Sequence, residues 1–519
     1  MLQQLLWLSF FISSSTRTSE AAKILMIPGN INSHSLFFSQ LGEGLATFGH
    51  KVQIVTPANA KTPRHLENEN LTFVPYNVDG DTPFANSQEV SEALMKMALS
   101  DSVFEKFSIM HSFGKRFFAE WENDCIHLLE NKEVMNKIYS KGFDFAIMDP
   151  LAINCYYIVP YLLDIPYASL SIPFGAWLFG IPRLPSFVSS LGYTDEMTFS
   201  QRLLSFLHDA ASIALVNMTT HYSERYAPHK PPMDTLKLFG RSSVWFFMEH
   251  LTIGYPAPQM PNTAALGDIM AQPAKPLPKD LQAFLDEATE GALIVSFGSF
   301  FDYIPEFVAK RFCEAFRRIK YRIVWKLKNA EFCSALKNAK MLPWIPQNDL
   351  LAHKNVRLLI THGGLNSLVE TVYHAKPVIV FPIALDQPSN AVAVSDKGYG
   401  ISMKLSNFTF EELEQNINRI FSDSSYAEKA KHASSILKDR PNSPAQRAAF
   451  LIEHVIKHGD NHLQTRASKL SSFQFIMFDI FLFVLCLFTL IVLAIAICIC
   501  FCCRICNRCF SRKEKVKEA

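Results

Sequence analysis

The sequence predicts two doubly wound α/β domains facing a cleft, followed by one C-terminal transmembrane helix. Three observations carry that expectation. Short apolar runs alternate with stretches of helical spacing from Lys23 and again from Ala292, a proline-rich segment parts the two series, and a charge-free run from Ile480 to Cys503 stands near the end of the chain. A length of 519 residues also exceeds what one hydrophobic core organises.

The N-terminus opens with Met1 to Gln4, an apolar run from Leu5 to Ile12, and small or polar residues ending near Ala22. This resembles a secretory signal peptide over 1–22, although the usual basic residue before the apolar run is absent. A buried first helix is the competing reading, disfavoured because a strand-like run starts directly at Lys23.

The first domain is expected over 23–270. Lys23 to Pro28 reads as a buried strand ended by Gly29 and Asn30, Leu36 to Phe48 as a helix stopped by Gly49, and Val52 to Val55 as the next strand. Phe143 to Met148 repeats the strand pattern and ends at Asp149-Pro150. The apolar, proline-broken stretch from Leu151 to Val188 and the helix-like stretch from Leu203 to Val216 read as core, as a lipophilic cleft, or as a membrane-touching face.

Pro273, Pro276 and Pro278 mark a stiff linker, and the second domain is expected over 271–460. Its elements are strands at Ala292 to Phe297, Arg322 to Lys326, Arg357 to Thr361 and Pro377 to Phe381, with helices at Pro305 to Ile319 and Leu365 to Tyr373. A membrane-proximal segment (461–475), a transmembrane helix (476–503) and a tail (504–519) complete the chain.

Arg504, Arg508, Arg512, Lys513, Lys515 and Lys517 face only Glu514 and Glu518, which places the tail in the cytosol and everything before the span in a lumen. Lys515 and Lys517, five and three positions from the end, look like a dilysine signal for retrieval to the endoplasmic reticulum. Sequons at Asn70, Asn217 and Asn407 are compatible with a lumenal fold. Four cysteines precede the span (Cys125, Cys155, Cys313, Cys333), too few for a disulfide framework in so large a unit, and whether they pair is left open. The cysteines at the membrane end read as palmitoylation sites or inert thiols.

Composition narrows the partners. The net charge of +2, from 50 basic and 48 acidic residues, lacks the basic surplus that a phosphate backbone requires, so nucleic acid is excluded. Apolar residues at 49%, with 43 phenylalanines, point instead to a membrane or greasy substrates. No cluster of carboxylates or histidines resembles a metal site.

The chemistry concentrates between Trp344 and Gln387. Thr361-His362-Gly363-Gly364-Leu365-Asn366-Ser367 runs from an apolar strand through two glycines into a helix, with Glu370 following. Such a turn presents free N–H groups and the positive end of a helix dipole to an anion, and His362 can add a hydrogen bond. Trp344 could stack on a planar base while Gln347 reads its edge, although a core tryptophan is the commoner case. Phe297-Gly298-Ser299 adds a second tight turn. In the first half, His34 lies in the expected loop before the first helix, with Asp149 ending another strand; His50 and His65 are as eligible by residue type alone.

Trp344-x-Pro346-Gln347, then Thr361-His362-Gly363-Gly364-x-Asn366-Ser367 with Glu370, then Pro382 and Asp386-Gln387, resembles the donor-site signature of the UDP-glycosyltransferase superfamily, more narrowly animal UDP-glucuronosyltransferases and UDP-glucosyltransferases. The likeness covers nearly the whole chain. It implies a GT-B fold of two Rossmann-like domains, the first binding the acceptor and the second the UDP-sugar. It assigns base stacking to Trp344 and base contact to Gln347, diphosphate contacts to Ser299, His362, Asn366 and Ser367 beside Gly364, ribose to Glu370, and sugar hydroxyls to Asp386 and Gln387. His34 becomes the catalytic base and Asp149 its partner in an inverting transfer to a hydroxyl of a small lipophilic acceptor. UDP-sugar is then a co-substrate, no metal or other cofactor is expected, and homo-oligomerisation stays open.

One departure matters. Many relatives carry an arginine between two prolines before the linker, able to pair with a sugar carboxylate, whereas this chain has Pro256-Ala257-Pro258. A neutral UDP-hexose is therefore expected in preference to UDP-glucuronic acid, unless another arginine such as Arg241 reaches the spot. Rival readings are a non-catalytic lumenal carrier of lipophilic molecules and a dedicated lipid or sterol glycosyltransferase.

Overall fold

The computed structural model describes residues 21–60, 68–80, 87–150, 155–171, 191–214, 221–298, 304–328, 333, 336–475 and 477–517. Residues 1–20 of the expected signal peptide, most of the stretch from Leu151 to Val188, the sequon at Asn217, and Ser299 lie outside them.

Seven strands form the first sheet: β1 (Lys23–Ile27), β2 (Lys51–Pro57), β3 (Leu71–Tyr76), β4 (Phe145–Met148), β5 (Tyr167–Ser171), β6 (Val244–Phe247) and β7 (Thr263–Ala265), in the order β3-β2-β1-β4-β5-β6-β7. The second has β8 (Ala292–Ser296), β9 (Arg322–Lys326), β10 (Ala339–Leu342), β11 (Val356–Thr361), β12 (Val378–Val380) and β13 (Gly400–Ser402), in the order β10-β9-β8-β11-β12-β13. All neighbouring strands pair in parallel. Parallel sheets are covered on both faces, which is why β4 and β8 are buried along their whole length and read as unbroken apolar runs.

Strand order reverses once in each sheet, between β1 and β4 and between β8 and β11. At such a reversal the two flanking connections run to opposite faces and leave a crevice beyond the carboxyl ends of the strands, where open α/β sheets take their ligands.

The first crossover helix spans Asn32–Thr47 and buries Phe37, Phe38, Leu41 and Leu45. It begins ahead of the Leu36 expected from periodicity. Its first turn is polar, so hydrophobic spacing cannot reveal it, yet the Ser35 N–H already bonds the Ile31 carbonyl at 2.9 Å. The helix Phe199–Ala214 likewise starts before the Leu203 expected for it.

Late in the chain, the helix Pro444–His458 returns to pack against Asn32–Thr47. Gly44 makes that approach close, since a Cβ built there would stand 2.5 Å from the Ala445 Cβ. Arg447 donates to the Ala265 carbonyl at 2.7 Å and to Asp268 Oδ1 at 2.9 Å, while Arg440 pairs with the other oxygen of this buried carboxylate. Further ties are Tyr399 to the Thr252 carbonyl (2.8 Å) and Ser243 to Asp460 (2.7 Å). One continuous apolar cluster runs from Ile24 and Phe38 through Leu266 and Ile452 to Ile294 and Leu359, so a single core mortars both sheets on this side.

The four cysteines before the span pair as Cys125–Cys155 and Cys313–Cys333. Closing loops of 30 and 20 residues, each contributes about 3–4 kcal/mol by restricting the unfolded chain. Helix Phe478–Lys517 contains a candidate membrane span, Phe478–Ile505, with no part buried against the rest of the protein. At about 1.5 Å per residue it is longer than a hydrocarbon core about 30 Å thick, so it has length to spare for tilt.

Candidate active site

The crevice of the first sheet holds two side chains from the two strands that flank it. β1 ends at Ile27, a short turn follows, and His34 projects from the first turn of the helix Asn32–Thr47, not from the loop expected for it. Asp149 directly follows β4. His34 Nδ1 lies 2.7 Å from Asp149 Oδ2, and the same oxygen accepts the Gly29 N–H at 3.0 Å. Both side chains are buried, at 8% and 1% exposure. Burial alone would depress the imidazole pKa, but the charge and hydrogen bond of Asp149, with a smaller contribution from Asp386, outweigh it and hold His34 above its ordinary value.

Geometry also separates the competing histidines. His50 is fully buried ahead of β2, at the opposite edge of the sheet, beside Glu453 and the Ala22 N–H. Burial lowers its pKa against the pull of Glu453. His65 lies outside the described residues.

In the second crevice, β11 runs into His362, Gly363 takes a left-handed φ of +86°, and Gly364 caps the helix Leu365–Tyr373. The imidazole of His362 sits between two glycines: a Cβ at Gly298 would stand 2.7 Å from its Cε1, and one at Gly364 2.5 Å from its Nε2. Burial, then the charge of Lys326, pushes its pKa down to about 3, so the ring is neutral at any working pH. Lys326 itself donates to the Gly298 carbonyl at 2.6 Å. Gly364 has no side chain to cap the helix with, which leaves the first-turn N–H groups around Asn366 and Ser367 available to an anion.

Gln347 opens the short helix Gln347–Ala352, and its Nε2 donates to Glu370 Oε2 at 2.6 Å and to Ser367 Oγ at 3.1 Å. Burial raises the Glu370 carboxyl to about 7, against the Gln347 bond, with Asp349 adding to the rise. Trp344 stands just beyond β10 at 70% exposure, so it is no core residue. Asp386 and Gln387 lie at the start of the helix Gln387–Asp396. Gln387 Oε1 accepts the Ile383 and Ala384 N–H groups at 2.8 and 3.0 Å, which commits its carbonyl end to the local turn.

Thus Gln347, Ser367 and Glu370 form one bonded group, His34 and Asp149 another, and Asp386 lies within electrostatic range of His34 from the other half of the chain. Asn390, missed in the sequence, ties Asp386 Oδ2 (2.6 Å) to the Gly363 carbonyl (3.0 Å); one turn after Asp386 on a helix, it carries a spacing that could have exposed it. Among the described residues no group of three or more His, Cys, Asp or Glu is placed to hold a metal ion. In the triplet Asp79-Gly80-Asp81, whose spacing could serve a diphosphate-bound divalent ion, Asp79 accepts from Asn123 at 2.9 Å and lies 3.2 Å from His127, while Asp81 lies outside the described residues.

The family described as UDP-glucoronosyl and UDP-glucosyl transferase matches residues 22–516. UDP-glucuronosyltransferase 2C1 of Oryctolagus cuniculus is 30% identical over 507 residues, covering 93% of this chain and 99% of that protein. The 2-hydroxyacylsphingosine 1-beta-galactosyltransferase of Rattus norvegicus is 28% identical over 484 residues, covering 90% and 86%. Among solved structures, a UDP-glucosyltransferase from Polygonum tinctorium superposes with a TM-score of 0.57 at 14% identity, over 85% of this chain and 99% of that one. The forosaminyltransferase SpnP gives 0.56 at 16% identity, over 84% and 99%. At these identities the structural likeness speaks to fold alone, and the fold is the expected GT-B pair of parallel sheets.

Proposed function

Because the chain belongs to the UDP-glucoronosyl and UDP-glucosyl transferase family, and so transfers sugar from a UDP-sugar, we propose that it does so by inversion onto a hydroxyl of a small lipophilic acceptor. The observation that carries this reading is the 2.7 Å contact between His34 and Asp149 in the crevice of the first sheet. Nδ1 is engaged by the carboxylate, which leaves Nε2 to take a proton.

The acceptor O–H gives its proton to Nε2 as its oxygen bonds to the anomeric carbon, and the bond from that carbon to the diphosphate breaks on the opposite face. Asp149 orients the ring and stabilises the imidazolium that forms. UDP departs with its developing charge toward the N–H groups at Gly364 to Ser367, with His362 as a neutral hydrogen-bonding partner. Trp344 stacks on the uracil, Gln347 contacts it, Glu370 takes the ribose, and Asp386 and Gln387 take sugar hydroxyls; Ser299 adds a diphosphate contact. The acceptor occupies the domain expected at 23–270 and the donor that expected at 271–460, whose closing helix Pro444–His458 packs back onto the first.

A neutral hexose is the favoured sugar. Ala257 is exposed and supplies no charge, and Arg241 precedes β6, at the sheet edge opposite the crevice. A relative named for galactosyl transfer to a sphingoid lipid fits the same reading and the lipid-directed variant of it. The paired cysteines support an oxidising lumen, and with the basic tail they favour a single-pass protein of the endoplasmic reticulum with its catalytic domains lumenal.

His34→Ala is the direct test: turnover should fall by about 10²–10⁴-fold while UDP affinity is unchanged. Near-normal turnover would remove His34 from the mechanism. A β-linked product from an α-linked donor is expected, and retention of the α configuration would exclude single displacement.

A further inference from the structure

Four residues, Pro28 to Ile31, join β1 to the helix that carries His34, and their conformation sets both members of the pair. Gly29 donates to Asp149, and the Ile31 carbonyl accepts the Ser35 N–H of the helix. Between them Asn30 is 3% exposed, and its side chain anchors the turn. Nδ2 donates to Asp124 Oδ2 at 2.8 Å and to Asn59 Oδ1, beyond β2, at 3.2 Å.

Asp124 belongs to the helix Val103–Glu130, is itself 9% exposed, and touches neither His34 nor Asp149 by any hydrogen bond. Its neighbour Cys125 is bonded to Cys155, which lies shortly after Asp149 in the chain. The carboxylate is therefore braced from the same segment that carries the partner of the base. A side chain needed only to fill this space would cost less as an apolar one, whereas a carboxylate offers a charge-assisted acceptor about twice as strong as a neutral one.

We propose that Asp124 is a positioning residue for the proton-accepting pair, holding the Gly29–Ile31 turn through Asn30 in the place where His34 meets Asp149. The inference rests on reading His34 as the base. The groups facing Asp124 are Asn30 from the turn, Glu120 and His127 from its own helix, Asp79 from beyond β3, and the mutually bonded hydroxyls of Tyr76 and Tyr156. Burial pushes its carboxyl up to about 6; the Asn30 bond opposes this, Glu120 and Asp79 add to it, and His127 subtracts.

The sign follows. Asp124 is ionised, and the brace at full strength, above about 6, and the brace weakens as pH falls through that value. His34, its pKa raised above 6.5, must be neutral to accept a proton, so activity already falls with pH before Asp124 titrates. The acid limb of kcat/KM should thus steepen near pH 6 in the native protein and keep unit slope in Asp124→Asn, whose amide cannot ionise.

With the full-length membrane-anchored protein and UDP-glucose as donor, Asp124→Ala and Asn30→Ala should each lower kcat by about 10–100-fold with KM for UDP-glucose within about twofold, and the double variant should be no worse than the weaker single one. Asp124→Asn should recover part of the loss at alkaline pH. Near-native kcat in Asp124→Ala, an acid limb unchanged in Asp124→Asn, or a parallel loss of kcat, donor KM and unfolding temperature would each overturn the inference. If His34→Ala abolishes transfer while Asp124→Ala does not weaken it, only the positioning role fails; an active His34→Ala removes both.

Discussion

Two buried imidazoles, His34 and His362, take opposite paths from the same starting pKa, and their surroundings explain why. His34 has a carboxylate within hydrogen-bond distance and a second one in range, so its protonated form is favoured despite burial. His362 has glycine on two sides and a lysine as its nearest charge, so burial goes unopposed. A base suits the first environment and an uncharged hydrogen-bonding group the second. At the same scale, Ala257 tests the donor: with UDP-glucose and UDP-glucuronic acid at equal concentration, glucoside should dominate the product, and Ala257→Arg should shift the ratio toward glucuronide. Mostly glucuronide from the native protein would overturn the neutral-sugar reading. Tyr255, two residues before, donates to Asp396 at 3.1 Å, so this segment is held against the helix that begins with Gln387 and an arginine at 257 would be presented from a fixed backbone.

Among the elements, the contact of Asn32–Thr47 with Pro444–His458 gives the sharpest expectation, because helix propensity and packing predict opposite signs. Gly44→Ala should gain up to about 1 kcal/mol from propensity alone. The methyl would meet Ala445 at 2.5 Å between two helices that cannot both yield, and overpacking of this kind costs about 1–3 kcal/mol, so net destabilisation is expected in thermal unfolding. Pairing it with Ala445→Gly should restore the native midpoint; failure of that rescue would place the strain elsewhere. None of this was legible in the sequence, where Gly44 is one more small residue in an amphipathic run. The strands around β1, β4, β8 and β11 were legible because doubly covered strands are uninterrupted apolar runs. The start of the first helix was not, because its polar first turn carries no periodicity. Trp344, Gln347, the His362 turn and Glu370 could be singled out because they lie close together in sequence. Asn30 and Asp124, far apart in the chain, meet only once it is folded.

For the whole molecule, the C-terminal helix is long and apolar enough to cross a membrane, and the proposed retrieval signal in the tail after it can be tested. Lys515→Ser with Lys517→Ser should release the protein toward the cell surface while its orientation stays fixed by Arg504, Arg508, Arg512 and Lys513, read out by glycan processing and surface labelling. Unchanged reticular staining and unchanged glycans would count against a retrieval signal. The return of Pro444–His458 onto the first helix adds a geometric consequence. The chain leaves the seven-stranded unit after β7, builds the six-stranded unit, and comes back before it reaches the apolar C-terminal helix, so the six-stranded unit is an insertion with both ends rooted in one platform. The apolar C-terminal helix follows from that platform. The two connections to the six-stranded unit therefore lie side by side on one face of the other unit, and a chimera that exchanges six-stranded units between relatives should be cut at both roots, near 271 and 443, with the helix Pro444–His458 left on the platform it grips.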